Sequence, residues 1–268
     1  MKKKWTGERL ETFVNTRDTI DHLHRYGIAL EYTENKVVLD IACGEGYGSN
    51  IISKNAKFVY GVDIDKCTID DAKVKYKKEN LTFIEGSASL IPFNDNMFDI
   101  VVSFETIEHH DKHDEMLLEI KRVLKPDGIL ILSTPDKLHY SDLRKFDNTF
   151  HIKELYKNEF VDLINKYFNK KQLLNQKFVN GNSIVSIDNE SKIIFYNGNF
   201  NDVKKINPDP LYLISIASDE FFNLQNTSIF DGTLISQEQN NLAIQNSNSF
   251  KVGSFILFPL KFLKKLLK

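Results

Sequence analysis

Three glycines at alternate positions, Gly44, Gly46 and Gly48, follow an acid, Asp40, in the run "LDIACGEGYG". Missing side chains let a backbone approach a ligand closely, and the apolar residues ahead of them read as a strand that delivers this loop to a helix. The spacing is G-x-G-x-G, not the G-x-G-x-x-G of a nicotinamide pyrophosphate loop, and the Lys-Ser/Thr ending of a P-loop is absent. A carboxylate at Asp40 repels a phosphate and attracts a cation. A second acid, Asp63, stands in "YGVDID", where a carboxylate is expected to bind both hydroxyls of a ribose. Together these residues ask for a nucleoside that carries positive charge and no phosphate. S-adenosylmethionine, with an ammonium group and a sulfonium, has that composition.

A second set of chemistry-bearing residues lies in "SFETIEHHDKH". Glu105, Glu108, His109 and His110 follow a predicted strand, and the carboxyl ends of strands in a doubly wound sheet face the ligand crevice. A hydroxyl acceptor, with a pKa far above that of water-facing imidazole, needs a proton acceptor within reach. Glu108 and His109 are candidates for that role. His151, in "NTFHIKEL", is a third, entering from a segment just before a helix; capping or loop packing is the structural alternative for both histidines. The cluster could instead hold a divalent ion that polarises vicinal hydroxyls. Its spacing isolates no ligand set, so no metal is expected.

The elements that position these residues alternate short apolar runs with longer amphipathic ones, which predicts repeated strand–helix units and a parallel sheet. Strands are expected over 37–42, 58–63, 81–85, 98–104 and 128–134, with helices over 47–54, 66–79 and 111–124, the last capped by Asp111. Another helix is expected over 153–168 and strands over 183–187 and 211–217. Between these last two, Asn, Asp and Gly mark an exposed hairpin or insertion at about 188–210. Ahead of the sheet, "TIDHLHRYGIALEY" places His22, Arg25, Tyr26 and Ala29 on one helical face, unusually polar for a core helix. The expected organisation is an N-terminal cap over 1–35, a catalytic domain over 36–218 and an extension over 219–268.

With 35 basic and 37 acidic residues and a formal net charge of −2, the chain has no global field for a polyanion, so nucleic acid is not an expected partner. Cys43 and Cys67 lack the close pairing of a metal knuckle and read as reduced residues of core elements, as in a cytoplasmic protein. The start, "MKKKWTGERLETF", has no apolar run after its basic residues and does not read as a signal peptide. In "SFILFPLKFLKKLLK" the spacing of Lys261, Lys264, Lys265 and Lys268 makes a basic helical stripe. For residues 255–268 an anionic membrane surface at the inner face of the membrane, a homodimer or other partner, and the chain's own domain all remain open.

The motifs "VLDIACGEGYGS", "VYGVDID", "FIEGSASLIPFNDNMFDIVVSFETIEHH" and "EIKRVLKPDGILILSTPD" cover roughly residues 37–136. In this order they resemble the class I S-adenosylmethionine-dependent methyltransferases. The flanks "GERLETF…DHLHRYGIA" and "FDNTFHIKEL" resemble the members found with bacterial surface-polysaccharide and sugar-modification enzymes. The resemblance implies an α/β, Rossmann-like, seven-stranded sheet with helices on both faces, an N-terminal lid helix and a C-terminal amphipathic extension. It implies that S-adenosylmethionine is converted to S-adenosylhomocysteine as a sugar or other small glycan acceptor is methylated on oxygen. Asp40 and the backbone at Ala42 and Gly44 would contact the methionine part, Asp63 the ribose, and Ser87 and Ala88 the adenine edge. Arg25 or Tyr26 of the lid would meet the methionine carboxylate, and Gly46, Ile64 and Phe104 complete the expected contacts. Many members carry an acid where Ser87 stands, so an adenine amino group would here rest on a hydroxyl or on backbone. A phosphate-type, quinol or amine acceptor, and a non-catalytic cofactor-binding subunit, are the alternatives.

Overall fold

The computed structural model describes residues 10–12, 15–187 and 193–247. The apolar runs "VVLDI" and "FDIVVSF" form β1 (Val37–Ile41) and β4 (Phe98–Phe104) at the centre of a sheet. Strands covered on both faces need such uninterrupted apolar sequence. β2 (Phe58–Asp63), β3 (Leu81–Glu85) and β5 (Leu124–Pro135) pair with them in parallel.

On one face α1 (Arg17–Thr33), α2 (Tyr47–Ile52) and α3 (Lys66–Lys75) bury Tyr26, Ile52 and Ile69 against Val38, Val59 and Val102. On the other, α4 (His113–Val123) and α5 (Lys157–Tyr167) bury Met116, Ile120, Phe160 and Ile164 against Leu39, Val101 and Leu130. The chain continues through β6 (Lys170–Val179), β7 (Asn182–Ile187), β8 (Phe195–Asn199), β9 (Asp202–Ile206), β10 (Tyr212–Ser218), β11 (Ser228–Phe230) and α6 (Thr233–Asn246). The sheet order is β11-β7-β6-β10-β5-β4-β1-β2-β3. Its order reverses between β1 and β4, which opens a crevice at the carboxyl ends of the parallel strands.

The sheet has nine strands rather than the seven expected, and β6 is an element the sequence pattern did not announce. Its run "KKQLLNQKFV" is polar, yet Gln172 and Gln176 are buried. Gln172 is paid in kind by the Gln225 backbone, which accepts from its amide at 2.8 Å and donates to its carbonyl at 2.7 Å. Gln176 accepts from Arg25 Nε at 2.7 Å and donates to the Asp21 carbonyl and Ser183 Oγ. A buried amide that is fully bonded can sit in a sheet, and hydropathy cannot see the partners.

β7 then extends the sheet, and β11, from beyond residue 218, pairs with it at the edge. β8 and β9 form a separate two-stranded hairpin within the expected insertion. α4 starts at His113 with Lys112 before it, so Asp111 does not cap it, and α5 begins four residues later than expected. Cys43 is buried, whereas Cys67 is exposed at the start of α3 rather than in the core. No helix among the described residues is long and apolar enough to cross a membrane. The basic stripe of the last residues, and with it the membrane or dimer contact through 255–268, lies outside the described residues.

α1 is wedged into the molecule rather than laid over it as a lid. Ile20, Asp21, His24, Arg25, Tyr26, Ile28 and Ala29 are all buried. Gly48, in α2, is the point of closest approach: a Cβ there would stand 1.8 Å from Cζ of Tyr26. The Tyr26 ring is itself held edge-on by Tyr47 and Phe104, with centroids 5.6 and 5.1 Å away. Gly48→Ala is therefore expected to overpack this contact and cost about 1–3 kcal/mol. A lowered denaturant midpoint would register it, and an unchanged one would mean that Tyr26 yields freely.

Candidate active site

A cleft of about 850 Å³ lies over the carboxyl ends of the parallel strands, lined by residues of α1, of the segment ahead of it and of the loops that follow β1 to β5. Because the strands run β5-β4-β1-β2-β3, the glycine loop, Asp63 and the turn at Ser87 fall on the β1–β3 side. Glu105, Glu108, His109 and the segment to His151 fall on the β4–β5 side. Among its described lining residues are six acids, Asp18, Asp63, Glu105, Glu108, Asp111 and Asp147, against a single lysine, Lys112, and no arginine. A cleft of that sign draws a cationic ligand and opposes a pyrophosphate.

On the β1–β3 side the backbone is bent to open towards the cleft. Ala42 and Gly44 have φ of +59° and +53°. The first is uncommon for a residue with a Cβ, and the loop imposes it. The Cys43 amide donates to the Val62 carbonyl at 2.9 Å. Asp63 accepts from the Gly44 amide and from the Asp65 amide, each at 2.9 Å, so one carboxylate fixes the glycine loop to the end of β2 while also lining the cleft. Ile64, Ser87, Ala88, Phe104 and Tyr26 line the cleft too. Ser87 Oγ is turned to Ser89, 3.0 Å from its Oγ and 3.2 Å from its amide.

Three expected contacts sit elsewhere. Asp40 is buried beneath the loop, accepting from Ser49 Oγ at 2.6 Å and from the Tyr26 hydroxyl at 3.4 Å, and it is not part of the cleft lining. Burial pushes its carboxyl up to about 7, against the lowering by Ser49 and Tyr26. Its influence on a ligand is through the loop it supports. Gly46 also stands off the cleft: a Cβ there would come within 2.6 Å of the Phe83 ring, so this glycine makes room for a core aromatic. Arg25, fully buried, is spent inside the protein. Its Nε reaches Gln176, its Nη1 lies 3.2 Å from Glu105 Oε1, and its guanidinium stacks 4.4 Å over the Tyr212 ring. Helical spacing put Arg25 beside His22 and Tyr26, but the strand β6 takes it, while His22 and Tyr26 face the cleft.

On the β4–β5 side Glu105 has φ of +52° and accepts from Ser133 Oγ at 2.6 Å. Burial pushes its carboxyl up and Arg25 opposes this. Glu108, also buried, accepts from Thr134 Oγ1 at 3.3 Å, and its Oε1 has no hydrogen-bond partner among the described residues. Burial and then Glu105 hold the Glu108 carboxyl well above the usual carboxylate range. The Glu108 carbonyl accepts from the amides of Ile152 and Lys153, at 2.8 and 3.1 Å, and this fastens the distant segment alongside. His109 Nδ1 donates to the Phe150 carbonyl at 3.0 Å, and the rings of His109 and His151 meet edge to face, 5.1 Å apart. Ligand-capable atoms of Glu108, His109 and His151 lie within 4.8 Å of one another.

Sequence reasoning named these three but missed what orients them. His151 Nδ1 is bonded to Glu154, its Nε2 lies 2.9 Å from the Asn148 amide, and its ring stacks on Tyr140. The His-x-x-Glu spacing of "HIKE" was the signal available.

The β1–β3 side fits S-adenosylmethionine. It offers a cleft-lining carboxylate at Asp63 for hydroxyls, a backbone turn at Gly44 with nothing within 4 Å of the absent Cβ, and, among the described residues, no cation that a phosphate would need. Asp63→Ala is expected to weaken S-adenosylhomocysteine binding by about 10–100-fold, the worth of a hydrogen bond to a charged group. Calorimetric titration reads this, and unchanged affinity would remove Asp63 from the site.

Residues 39–132 match the family described as "Methyltransferase domain". A protein of Mycolicibacterium smegmatis named a probable S-adenosylmethionine-dependent methyltransferase is 34% identical over 128 residues, 47% of this chain and 49% of that protein. A fatty-acid O-methyltransferase of the same organism is 30% identical over 120 residues, 41% of this chain and 44% of that protein. The chain thus spans about half the length of the curated relatives it matches. The YcgJ protein of Bacillus subtilis shares the fold, with a TM-score of 0.56 over 75% of this chain and 100% of that one, at 22% identity. The motifs around the loop, the acid-lined cleft and these likenesses converge on residues 39–132, which match a methyltransferase domain and, with S-adenosylmethionine as cofactor and S-adenosylhomocysteine as its spent form, resemble the class I S-adenosylmethionine-dependent enzymes.

Proposed function

We propose that this chain transfers a methyl group from S-adenosylmethionine to an oxygen of a small acceptor, a sugar or glycan precursor of a bacterial surface polysaccharide. The observation that carries this reading is the make-up of the β4–β5 side of the cleft. There the polar groups of Glu108, His109, Asn148 and His151 stand beside the rings of Tyr140, Phe146 and Phe150, a mixture suited to a polyhydroxylated ring with apolar faces. When bound, the cofactor supplies an electrophilic methyl on a sulfonium. The residues of this chain have to align the acceptor oxygen, exclude water and deal with the hydroxyl proton. Glu108, His109 and His151 are the groups placed for the last task, and the aromatic rings narrow access by water.

A second reading has an observation of its own. Leu143, Phe146, Phe150 and Ile152 are exposed along the same segment, and a relative is named for fatty-acid O-methylation, so a lipid-like acceptor is the alternative. A panel of sugars, sugar nucleotides, fatty acids, phosphate compounds and amines, assayed with methyl-labelled cofactor, separates the two. Label on a sugar hydroxyl supports the first reading, and label on fatty acids alone replaces it with the second. Cofactor binding without turnover of any acceptor would make the chain a binding subunit.

A further inference from the structure

We propose that Glu108, His109 and His151 bind one divalent transition-metal ion at the acceptor end of the cleft. Three features of different kinds point there. The first is proximity: one ligand-capable atom from each residue lies within 4.8 Å of the other two. Ligands around a tetrahedral ion at bonds of about 2.1 Å stand about 3.4 Å apart, so side-chain rotations that move these atoms by about an ångström close the set.

The second is orientation of the imidazoles from behind. His109 Nδ1 donates to the Phe150 carbonyl and His151 Nδ1 to the Glu154 carboxylate, which fixes the tautomer that keeps Nε2 unprotonated in each ring. Anchoring of the remote nitrogen by a carbonyl or carboxylate is the arrangement that metal-binding histidines need. The Asn148 amide, 2.9 Å from His151 Nε2, is the group an ion would displace.

The third is an orphaned acceptor. Glu108 is 1% exposed and belongs to the cleft lining, yet its Oε1 has no hydrogen-bond partner among the described residues. A buried carboxylate oxygen without a donor is costly, and a cation repays that cost. Two imidazoles and one carboxylate select zinc, cobalt or iron in the divalent state over magnesium or calcium. With an ion bound, these three side chains would serve the hydroxyl proton through it, as ligands and not as direct acceptors: the ion would lower the pKa of a coordinated acceptor hydroxyl, whose proton passes to water.

This purpose rests on the proposed acceptor end, but ion binding does not, and it is measured on the full chain with no acceptor present. Metal-free protein is titrated with Co²⁺, followed by visible absorption and calorimetry, and Zn²⁺ is added as competitor. The expected result is one equivalent of Co²⁺ with a ligand-field spectrum, displaced by Zn²⁺ and lost in His109→Ala and Glu108→Gln. Glu154→Gln, which keeps all three ligands, is expected to weaken binding by about 10–100-fold. His110→Ala is expected to leave it unchanged. Retained S-adenosylhomocysteine binding shows that each variant is folded. Absence of a stoichiometric site, or equal affinity in the His109 and Glu108 variants, overturns the proposal. An intact cobalt site with no oxygen acceptor methylated would instead sink the assigned reaction and leave the ion site standing.

Discussion

His151→Ala is expected to lower turnover by about 10²–10⁴-fold, the usual contribution of a positioned proton-transfer group, while leaving affinity for S-adenosylhomocysteine unchanged. The split follows from placement. His151 stands on the β5 side, against His109 and Tyr140, whereas the glycine loop and Asp63 belong to β1 and β2. Removing the imidazole therefore touches the acceptor end alone. Glu154→Gln keeps the ring but weakens the partner of its Nδ1, so a smaller loss in turnover, again without change in cofactor affinity, is expected. Parallel loss of cofactor binding would mean that His151 acts by holding the cleft together.

The second large effect concerns Asp40 and acidity. Its carboxyl goes from the usual 3.8 to about 7 on folding, chiefly by burial. Between those values the native protein holds a proton that the unfolded chain has released, so this group makes stability fall as pH rises through that window, with the full loss above it. The magnitude is on the order of 4 kcal/mol. Asp40→Asn removes the titration while keeping an acceptor for Ser49 and Tyr26. Relative to the parent, the variant is expected to gain stability steadily from pH 4 to about pH 8. Chemical denaturation of both proteins at a series of pH values tests this, and a constant difference between them would show that Asp40 does not titrate in that range.

The central strands were readable because uninterrupted apolar runs between amphipathic ones have few other solutions. β1 to β5 and the helices between them lie close to where the pattern put them. The edge was not readable for a stated reason. Gln172 and Gln176 look like surface residues until Arg25, Asp21 and Gln225, all far away in the chain, and Ser183 of the next strand supply their partners. The candidate site divides in the same manner. Asp63 and the opening of the loop at Gly44 follow from local spacing, as does the placing of Glu108 and His109 after β4. That Arg25 turns inward, that Asp40 lies under the loop, and that Glu154 and Asn148 hold His151 are consequences of tertiary neighbours, which spacing does not encode.

The wedge-like seating of α1 has an implication for dissecting this molecule. His24 bridges Ser183 and Ser228, at 3.0 and 2.9 Å, Arg25 neutralises Glu105, and Tyr26 donates to Asp40. Three successive residues thus couple the far rim of the sheet, the β4–β5 side of the cleft and the acid beneath the glycine loop. A fragment trimmed to start at β1 would not be a smaller catalyst with an open mouth; it would be a half-assembled arch from which the keystone has been pulled.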